Sequence, residues 1–232
     1  MVGVRTEWAY SSSDAEITST EKRKSTPPCY EKSDMSDRDN QIINDISVAS
    51  YLPKSSIDTA NRIVKLEALI FTRRPWAHAE IERTLNTRNT TTFIATGTIV
   101  TKESAPTLDT INKKKTDIGY AILRNTGHEA EIFRIATHTG FRRQGIATHI
   151  LHAVIDHVKT INRQSAFGSK QSNIRQAVEI FLEVNQSNSC AVEFYERREF
   201  KRCGIRKHYY PAPDLSSKRE HALVYKRIVH PY

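Results

Sequence analysis

The segment FRRQGIATHI, which runs from Phe141 to Ile150, decides the fold of this chain of 232 residues. Two arginines precede Gly145, and an apolar stripe of helical spacing continues after it as far as Val158. A glycine within a helix lowers its stability, so Gly145 indicates a turn that opens the helix. Free N–H groups at a helix N-terminus, together with the helix dipole, attract phosphate oxygens. The segment predicts a phosphate-binding turn. An ordinary exposed helix start with two solvated arginines is the competing interpretation, and the motif alone slightly favours it.

The runs on either side of this turn predict one α/β domain with a mixed sheet. Before it, ISVASYL predicts a strand, SSIDTANRIVKLEALIF and AHAEIERTL predict helices, and TTFIATGTIV, DIGYAILRN and EAEIFRIATH predict three strands. NKKKTD and NTGHE are interpreted as turns. After it, we expect a helix to about Thr160, the strand VEIFLEV, the helix SCAVEFYERR, and two strands, KRCGIRKHYY and HALVYKRI.

Charge and polarity divide the chain into two parts. Residues 1–45 are polar without a sustained period, which predicts a disordered extension, and the domain is expected over 46–232. The extension carries 6 Lys and Arg against 9 Asp and Glu, whereas the remainder carries 29 against 17. A basic domain attracts nucleic acid, a ribosome or a phosphorylated cofactor, and charge alone does not separate these partners.

The sequence offers no membrane span, secretory signal or metal motif. No apolar run reaches the length of a span, so no membrane contact is expected. We expect the cytoplasm, with a mitochondrion or other organelle as the alternative, because the start is rich in Ser and Thr but also contains Glu7 and Asp14. The cysteines form no CxxC pair, and His149, His152 and His157 lack the spacing of a ligand set, so no metal is expected.

Several motifs together resemble a known family. FRRQGIA, with Arg142, Gly145 and Ala147, fits the Arg/Gln-x-x-Gly-x-Gly/Ala pattern of the GCN5-related N-acetyltransferases (GNAT). LEVNQSNSCAVEFYERREFKRCGIRKHYYP and EHALVY resemble the C-terminal half of the ribosomal-protein-alanine N-acetyltransferases, and RRPWAHAEIERTL resembles their Pro-Trp segment. The resemblance covers about Ile46 to Ile228. It implies the GNAT fold, a mixed, mostly antiparallel sheet with splayed central strands and flanking helices.

The resemblance implies an acetyl-CoA site on the turn and on the strand before it. The pyrophosphate would rest on the backbone from Arg143 to Thr148, and the pantetheine would pair with the preceding strand. Asn188 is an N-cap by ordinary sequence rules, and the resemblance adds a cofactor contact. The implied cofactor-binding residues are Ile135, Ala136, Thr137, Arg142, Arg143, Gln144, Gly145, Ile146, Ala147, Thr148 and Asn188.

The resemblance also places the family's catalytic glutamate on Glu183 and its catalytic tyrosine on Tyr195. A carboxylate can take a proton from the incoming ammonium, directly or through water, and a tyrosine can protonate the departing thiolate. The alternatives are a salt-bridged glutamate at a strand edge and a core tyrosine. Tyr209 and Tyr210 fall where aromatic walls would surround the substrate, although HYY fits a strand alternating between core and solvent equally well.

The function implied is acetyl transfer from acetyl-CoA to a protein N-terminal α-amine, with a ribosomal protein as a candidate acceptor and no direct contact with nucleic acid. A lysine or small-amine acceptor is the alternative, and a noncatalytic acyl-CoA-binding or ribosome-docking module is the rival of another class. Three departures bear on substrate identity: Glu199 replaces the family's glycine before Phe200, the segment from Asn162 to Val178 is longer, and the N-terminal extension has no counterpart.

Overall fold

The computed structural model describes residues 41–52, 57–71, 75–105, 108–126, 129–167, 177–211 and 218–230. Within these ranges, seven strands and four helices follow one another in the order that the sequence predicts, and a short 3-10 turn at Thr139–Phe141 precedes the third helix. The elements in chain order are β1 (Gln41–Tyr51), α1 (Ile57–Ile70), α2 (His78–Leu85), β2 (Thr90–Ala105), β3 (Leu108–Asn125), β4 (Glu129–Thr137), α3 (Ile146–Phe167), β5 (Val178–Asn185), α4 (Ser189–Glu196), β6 (Lys201–Tyr210) and β7 (Glu220–Val229).

The strands form one mixed sheet in the order β1-β2-β3-β4-β5-β7-β6. Only β4 and β5 are parallel, because α3 carries the chain back between them, and every other described pair is antiparallel. This arrangement confirms the predicted mixed, mostly antiparallel sheet with flanking helices. It also places the parallel pair at the centre, next to the turn that opens α3.

Helices cover both faces of the sheet. On one face, α3 and α4 pack on the strands, and the apolar stripe that begins after Gly145 supplies the buried residues Ile146, Ile150, Leu151, Val154 and Val158 to this core. On the other face, α1 and α2 cover β2, β3 and β4. The first cluster includes Phe93, Ile150, Val154, Ile180, Leu182 and Tyr225, and the second includes Ile63, Leu66, Ile81, Tyr120 and Ile122.

The structure corrects three predicted boundaries. β1 begins at Gln41, ahead of the expected start at Ile46, because Gln41–Asn44 pair with Thr98–Thr101 of β2. NKKKTD is not a turn but part of β3, where Asn112–Asp117 pair with Thr96–Thr101. Backbone ladder bonds hold these polar residues in strands, and apolar patterning does not report such bonds. α3 continues beyond Thr160 to Phe167. The proposed extension lies, up to residue 40, outside the described residues.

Candidate functional site

A tight turn connects β4 to α3. Phe141 is buried in the core and fixes the start of the turn, while the next four residues are exposed. Arg143 and Gly145 have φ of 66° and 78°, in the left-handed region that favours glycine. A Cβ at Gly145 would meet nothing closer than the His149 ring at 3.7 Å, so the left-handed backbone rather than crowding calls for glycine. We call Arg142–Thr148 the cradle.

The cradle presents N–H groups to the space above α3. The first helical bonds run from the amides of Thr148 and His149 to the carbonyl of Gly145, at 2.9 and 3.1 Å. The amides of Ile146 and Ala147 come before these bonds and have no acceptor within the helix. The cradle thus contains the six residues whose backbone is expected to receive the pyrophosphate, Arg143 to Thr148, together with Arg142.

The two central strands separate beside the cradle. β4 and β5 pair only from Glu129 to Ile132, opposite Glu179 to Leu182. Beyond Ile132, β4 remains paired with β3 through a bulge, since Ile122 lies opposite Arg134 and Leu123 opposite Ile132. The β5-facing side of Phe133–Thr137 therefore pairs with no strand of the described chain. We call this stretch the open edge.

The open edge contains the three residues expected to pair with pantetheine. Ile135 packs against the α3 core, and Ala136 is buried on the α1 side. Thr137 has a buried hydroxyl with no hydrogen-bond partner in the described structure. Buried hydroxyls are ordinarily bonded, so this atom fits a site whose ligand supplies a partner. An open edge that leads into a phosphate cradle fits acetyl-CoA, whose pantetheine arm carries amides and whose other end carries phosphates.

Glu183 lies on β5 with its side chain on the face opposite α3, because Leu182 and Val184 on either side of it enter the α3 core. Its carboxylate forms a salt bridge with Arg206, whose Nε lies 2.8 Å from Oε1, and the Glu183 side chain is 17% exposed. The Tyr209 hydroxyl is hydrogen-bonded to the same carboxylate. Burial, and then the charge of Glu183, raises the pKa of Tyr209.

A cavity of about 230 Å³ opens beside Glu183. We call it the carboxylate cleft, and its lining includes Arg124, Glu129, Glu131, Glu183 and Arg206. The Arg124 guanidinium lies 3.2 Å from Glu131. Burial raises the pKa of Glu131, and the charge of Glu183 adds to the rise while Arg124 opposes it. The cleft can therefore receive a cationic group.

Tyr195 occupies the α3 side of the sheet. It is 7% exposed and packs edge-to-face against Phe194 and Phe200, at centroid distances of 5.2 and 5.7 Å. Burial, and to a lesser degree Tyr210, raises its pKa well above the ordinary value. The hydroxyl thus keeps its proton at neutral pH, as a general acid requires.

Glu183 and Tyr195 are connected indirectly. They lie on opposite faces of the sheet, and the Glu183 carboxylate contacts Arg206 and Tyr209. Tyr210 lies close to both residues. Burial, and then the charge of Glu183, raises the pKa of Tyr210 to about 12, and Tyr210 in turn contributes to the raised pKa of Tyr195. Tyr209 is 44% exposed and Tyr210 half-buried, with rings 5.1 Å apart. This does not match alternation between core and solvent.

Glu67 and Arg134 form a buried ion pair that the sequence did not predict. Glu67 of α1 is 1% exposed and accepts hydrogen bonds from Arg134 Nε and Nη2, both at 2.9 Å. It also accepts from the Tyr120 hydroxyl and from the Trp76 amide, the latter at 2.8 Å. The Arg134 guanidinium lies 3.8 Å from the Phe71 ring centroid. The group ties the segment after α1 to the bulge where the open edge begins.

Asn188 confirms one sequence expectation. It is the N-cap of α4, and its side chain accepts a 3.1 Å hydrogen bond from the Ala191 amide. The three histidines of α3 differ in exposure. His149 and His152 are exposed, but His157 is half-buried and its Nε2 lies 3.1 Å from the Thr91 hydroxyl.

The described ranges show neither a metal-binding cluster nor a membrane-spanning helix. They contain no cluster of three or more His, Cys, Asp or Glu arranged to hold a metal. In the same ranges, no helix is long and apolar enough to cross a membrane.

Comparison with known proteins identifies relatives. The family description "Acetyltransferase (GNAT) domain" matches residues 109–202. The [ribosomal protein bS18]-alanine N-acetyltransferase of Haemophilus ducreyi is 33% identical over 132 residues, which cover 55% of this chain and 78% of that protein. The Escherichia coli K12 protein of the same name is 30% identical over 105 residues, which cover 45% of this chain and 60% of that protein.

Solved structures share the fold. The Escherichia coli ribosomal-protein-S18-alanine N-acetyltransferase superposes with a TM-score of 0.58 at 20% identity, covering 79% of this chain and 94% of that chain. Arabidopsis thaliana NAA60 in complex with acetyl-CoA superposes with a TM-score of 0.53 at 13% identity, covering 80% of this chain and 99% of that chain. At these identities the likeness concerns the fold alone.

Proposed function

This chain belongs to the GNAT superfamily of acetyltransferases, in the group related to the ribosomal-protein-alanine N-acetyltransferases, and we propose that it acetylates the N-terminal α-amine of a protein. Acetyl-CoA is the donor, bound by its pyrophosphate on the cradle and by its pantetheine along the open edge. The observation that carries the proposal is the continuity of cradle and open edge beside the strand that holds Glu183.

The chemistry proposed is direct transfer in a ternary complex. The amine nitrogen forms a bond to the acetyl carbon, and the bond from that carbon to sulfur breaks. Glu183 accepts the proton that the amine loses, directly or through water, and Tyr195 gives its proton to the departing thiolate. Backbone N–H groups of the open edge near Ala136 stabilise the negative charge that develops on the carbonyl oxygen.

Arg206 and the two tyrosines give Glu183 its setting. The ion pair with Arg206 orients the carboxylate. We propose that Tyr209, which contacts the Glu183 carboxylate, and Tyr210, whose ring lies 5.1 Å from that of Tyr209, form an aromatic wall around the acceptor. A free α-amine with a short, extended peptide behind it suits this cleft, because the carboxylates attract the ammonium group.

The relatives' printed names suggest the acceptor. Because they are named for the alanine of ribosomal protein bS18, a ribosomal protein N-terminus is the first acceptor to test, and we expect the reaction in the cytoplasm. The test incubates the full chain with acetyl-CoA and peptides varied at their first residues. Matched peptides with a blocked N-terminus and an internal lysine separate α-amine transfer from lysine transfer. Acetylation of lysine alone would contradict the proposal.

Paired variants test the two catalytic roles. Glu183→Gln should lower turnover by about a hundredfold to ten-thousandfold, most strongly at low pH, where the amine is protonated, with partial recovery as the pH rises. Tyr195→Phe should give a loss that persists at high pH. Glu179→Gln is the control on the same strand and face, since Glu179 is paired at 2.8 Å with Lys226. Near wild-type turnover of both catalytic-site variants across pH 6 to 9 would refute the assigned roles.

A further inference from the structure

Arg198 connects the segment after α4 to the cradle. Its Nη2 donates to the hydroxyl of Thr148 in the first turn of α3. Its Nη1 donates to the carbonyl of Phe194 at 3.1 Å, and its guanidinium carbon lies 3.9 Å from the centroid of the Phe194 ring. The cation is therefore fixed beside the N-terminus of α3 by contacts from two helices.

The acids nearest to Arg198 in sequence are occupied by other groups. Glu193 binds Arg197 at 2.5 Å, Glu196 accepts from the Tyr225 hydroxyl at 2.8 Å, and Glu199 binds Arg227 at 2.6 Å. Within the described chain, Arg198 forms no ion pair. Its Nε is buried without a hydrogen-bond partner. Burial, and then the neighbouring Arg197, lowers the Arg198 pKa, as expected for a cation that lacks a counterion.

The position of this charge is unfavourable in the absence of an anion. The N-terminus of a helix carries partial positive charge, so a guanidinium beside the first turn of α3 is repelled by it. The carbonyl and ring of Phe194 and the hydroxyl of Thr148 offset part of this repulsion. An anion on the cradle would lie between the helix N-terminus and the guanidinium and would attract both.

We propose that Arg198 is a phosphate-binding residue, and that its guanidinium, held by Thr148, contacts the pyrophosphate of acetyl-CoA on the cradle. The proposal rests on the proposed function, which supplies this ligand. Thr148 belongs to the turn whose free amides face the pyrophosphate, so we assign the contact to that group rather than to the 3′-phosphate. Arginine suits the role because its planar fork can make two parallel hydrogen bonds to phosphate oxygens.

Calorimetry with unreactive ligands tests the assignment without measuring activity. The full chain and its variants are titrated with CoA and with dephospho-CoA, which keeps the pyrophosphate but lacks the 3′-phosphate. Arg198→Gln should weaken the binding of both ligands by about tenfold to a hundredfold, which is the usual effect of losing a hydrogen bond to a charged group. Arg197→Gln is the matched control, because Arg197 is 73% exposed and already paired with Glu193. It should leave both affinities within about twofold.

Each other outcome overturns the proposal. Unchanged affinity in Arg198→Gln would remove the contact, and a loss confined to CoA would assign it to the 3′-phosphate. If Arg198→Gln does not fold, Arg198→Lys decides, since lysine keeps the charge but not the fork, and a several-fold loss for both ligands is expected. An unchanged affinity in Arg198→Lys would then refute the proposal. Failure of the wild-type chain to bind either ligand would instead refute the proposed function.

Discussion

Replacing Gly145 with Asp and with Asn separates the charge of the cradle from its shape. Both side chains tolerate the left-handed backbone better than most, so the strain imposed by a φ of 78° is similar in the two variants. Both are also good helix N-caps, and Asp is further favoured by the helix dipole. The Asp variant should therefore be no less stable than the Asn variant, and a difference in cofactor affinity will report charge.

The magnitude follows from the geometry of the turn. A side chain at Gly145 projects into the open space above α3, with only the His149 ring near its Cβ. A carboxylate there would lie about 5 Å from a pyrophosphate on the first turn. At that distance two negative charges repel by about 1 kcal/mol with the dielectric constant of water and by about 3 kcal/mol with the value typical of a protein surface. We expect Gly145→Asp to bind acetyl-CoA about 2 kcal/mol more weakly than Gly145→Asn, which is roughly thirtyfold.

Calorimetric titration of the two variants with acetyl-CoA at low and high salt measures this difference. It should shrink as salt rises, because exposed charges are screened beyond about 3 Å at 1 M salt. Urea unfolding without ligand serves as the control for strain. Equal affinities of the Asp and Asn variants at low salt would show that no anion sits on this turn, and the assignment of the cradle would fall.

Three further predictions concern stability. Glu199 has a φ of 64°, so Glu199→Gly should leave the free energy of unfolding unchanged or raise it by up to about 1 kcal/mol, while Glu199→Val should lower it by about 1 to 2 kcal/mol in urea titrations. Asn188→Ala should lower it by about 1 kcal/mol through loss of the cap on α4, and Asn188→Asp should not. Burial lowers the pKa of His157, so the folded chain binds fewer protons there than the unfolded chain does. The stability that this difference contributes is present above the unfolded pKa of about 6.5 and is lost as the pH falls through the lower pKa of the folded chain. His157→Gln should flatten the acid side of a urea-measured stability profile, and an unchanged profile would refute this assignment.

Local rules predicted the features that depend on neighbouring residues. The glycine in FRRQGIA marks the turn because a left-handed backbone is a property of that position. Asn188 was identified as a cap because capping needs only the residue and the next helical turn. The left-handed φ of Glu199 gives a physical reason for the glycine that the family resemblance implies at this position.

Tertiary contacts decided what the sequence left out. Glu67 lies between Ile63 and Ile70 on the buried stripe of α1, and an acid within an apolar stripe was a signal for a buried partner. Arg198 gave no such signal, since its meaning depends on Thr148, which is distant in the chain. Glu131 has an acidic neighbour in Glu183 only because β4 and β5 run parallel.

The short pairing of β4 with β5 has a consequence for cooperativity. Within the described residues, the strands before α3 and the strands after it pair only through the stretch from Glu129 to Ile132, so few ladder bonds join the two halves of the sheet. A ligand lying along the open edge would add interactions where the ladder is absent and would raise stability by an amount that grows with the logarithm of its concentration over its Kd. We expect amide hydrogen exchange at Val184 and Asn185 to slow on cofactor binding more than exchange in the β2–β3 hairpin, whose strands are paired along their length. Cofactor supply would then govern how long the chain survives proteolysis.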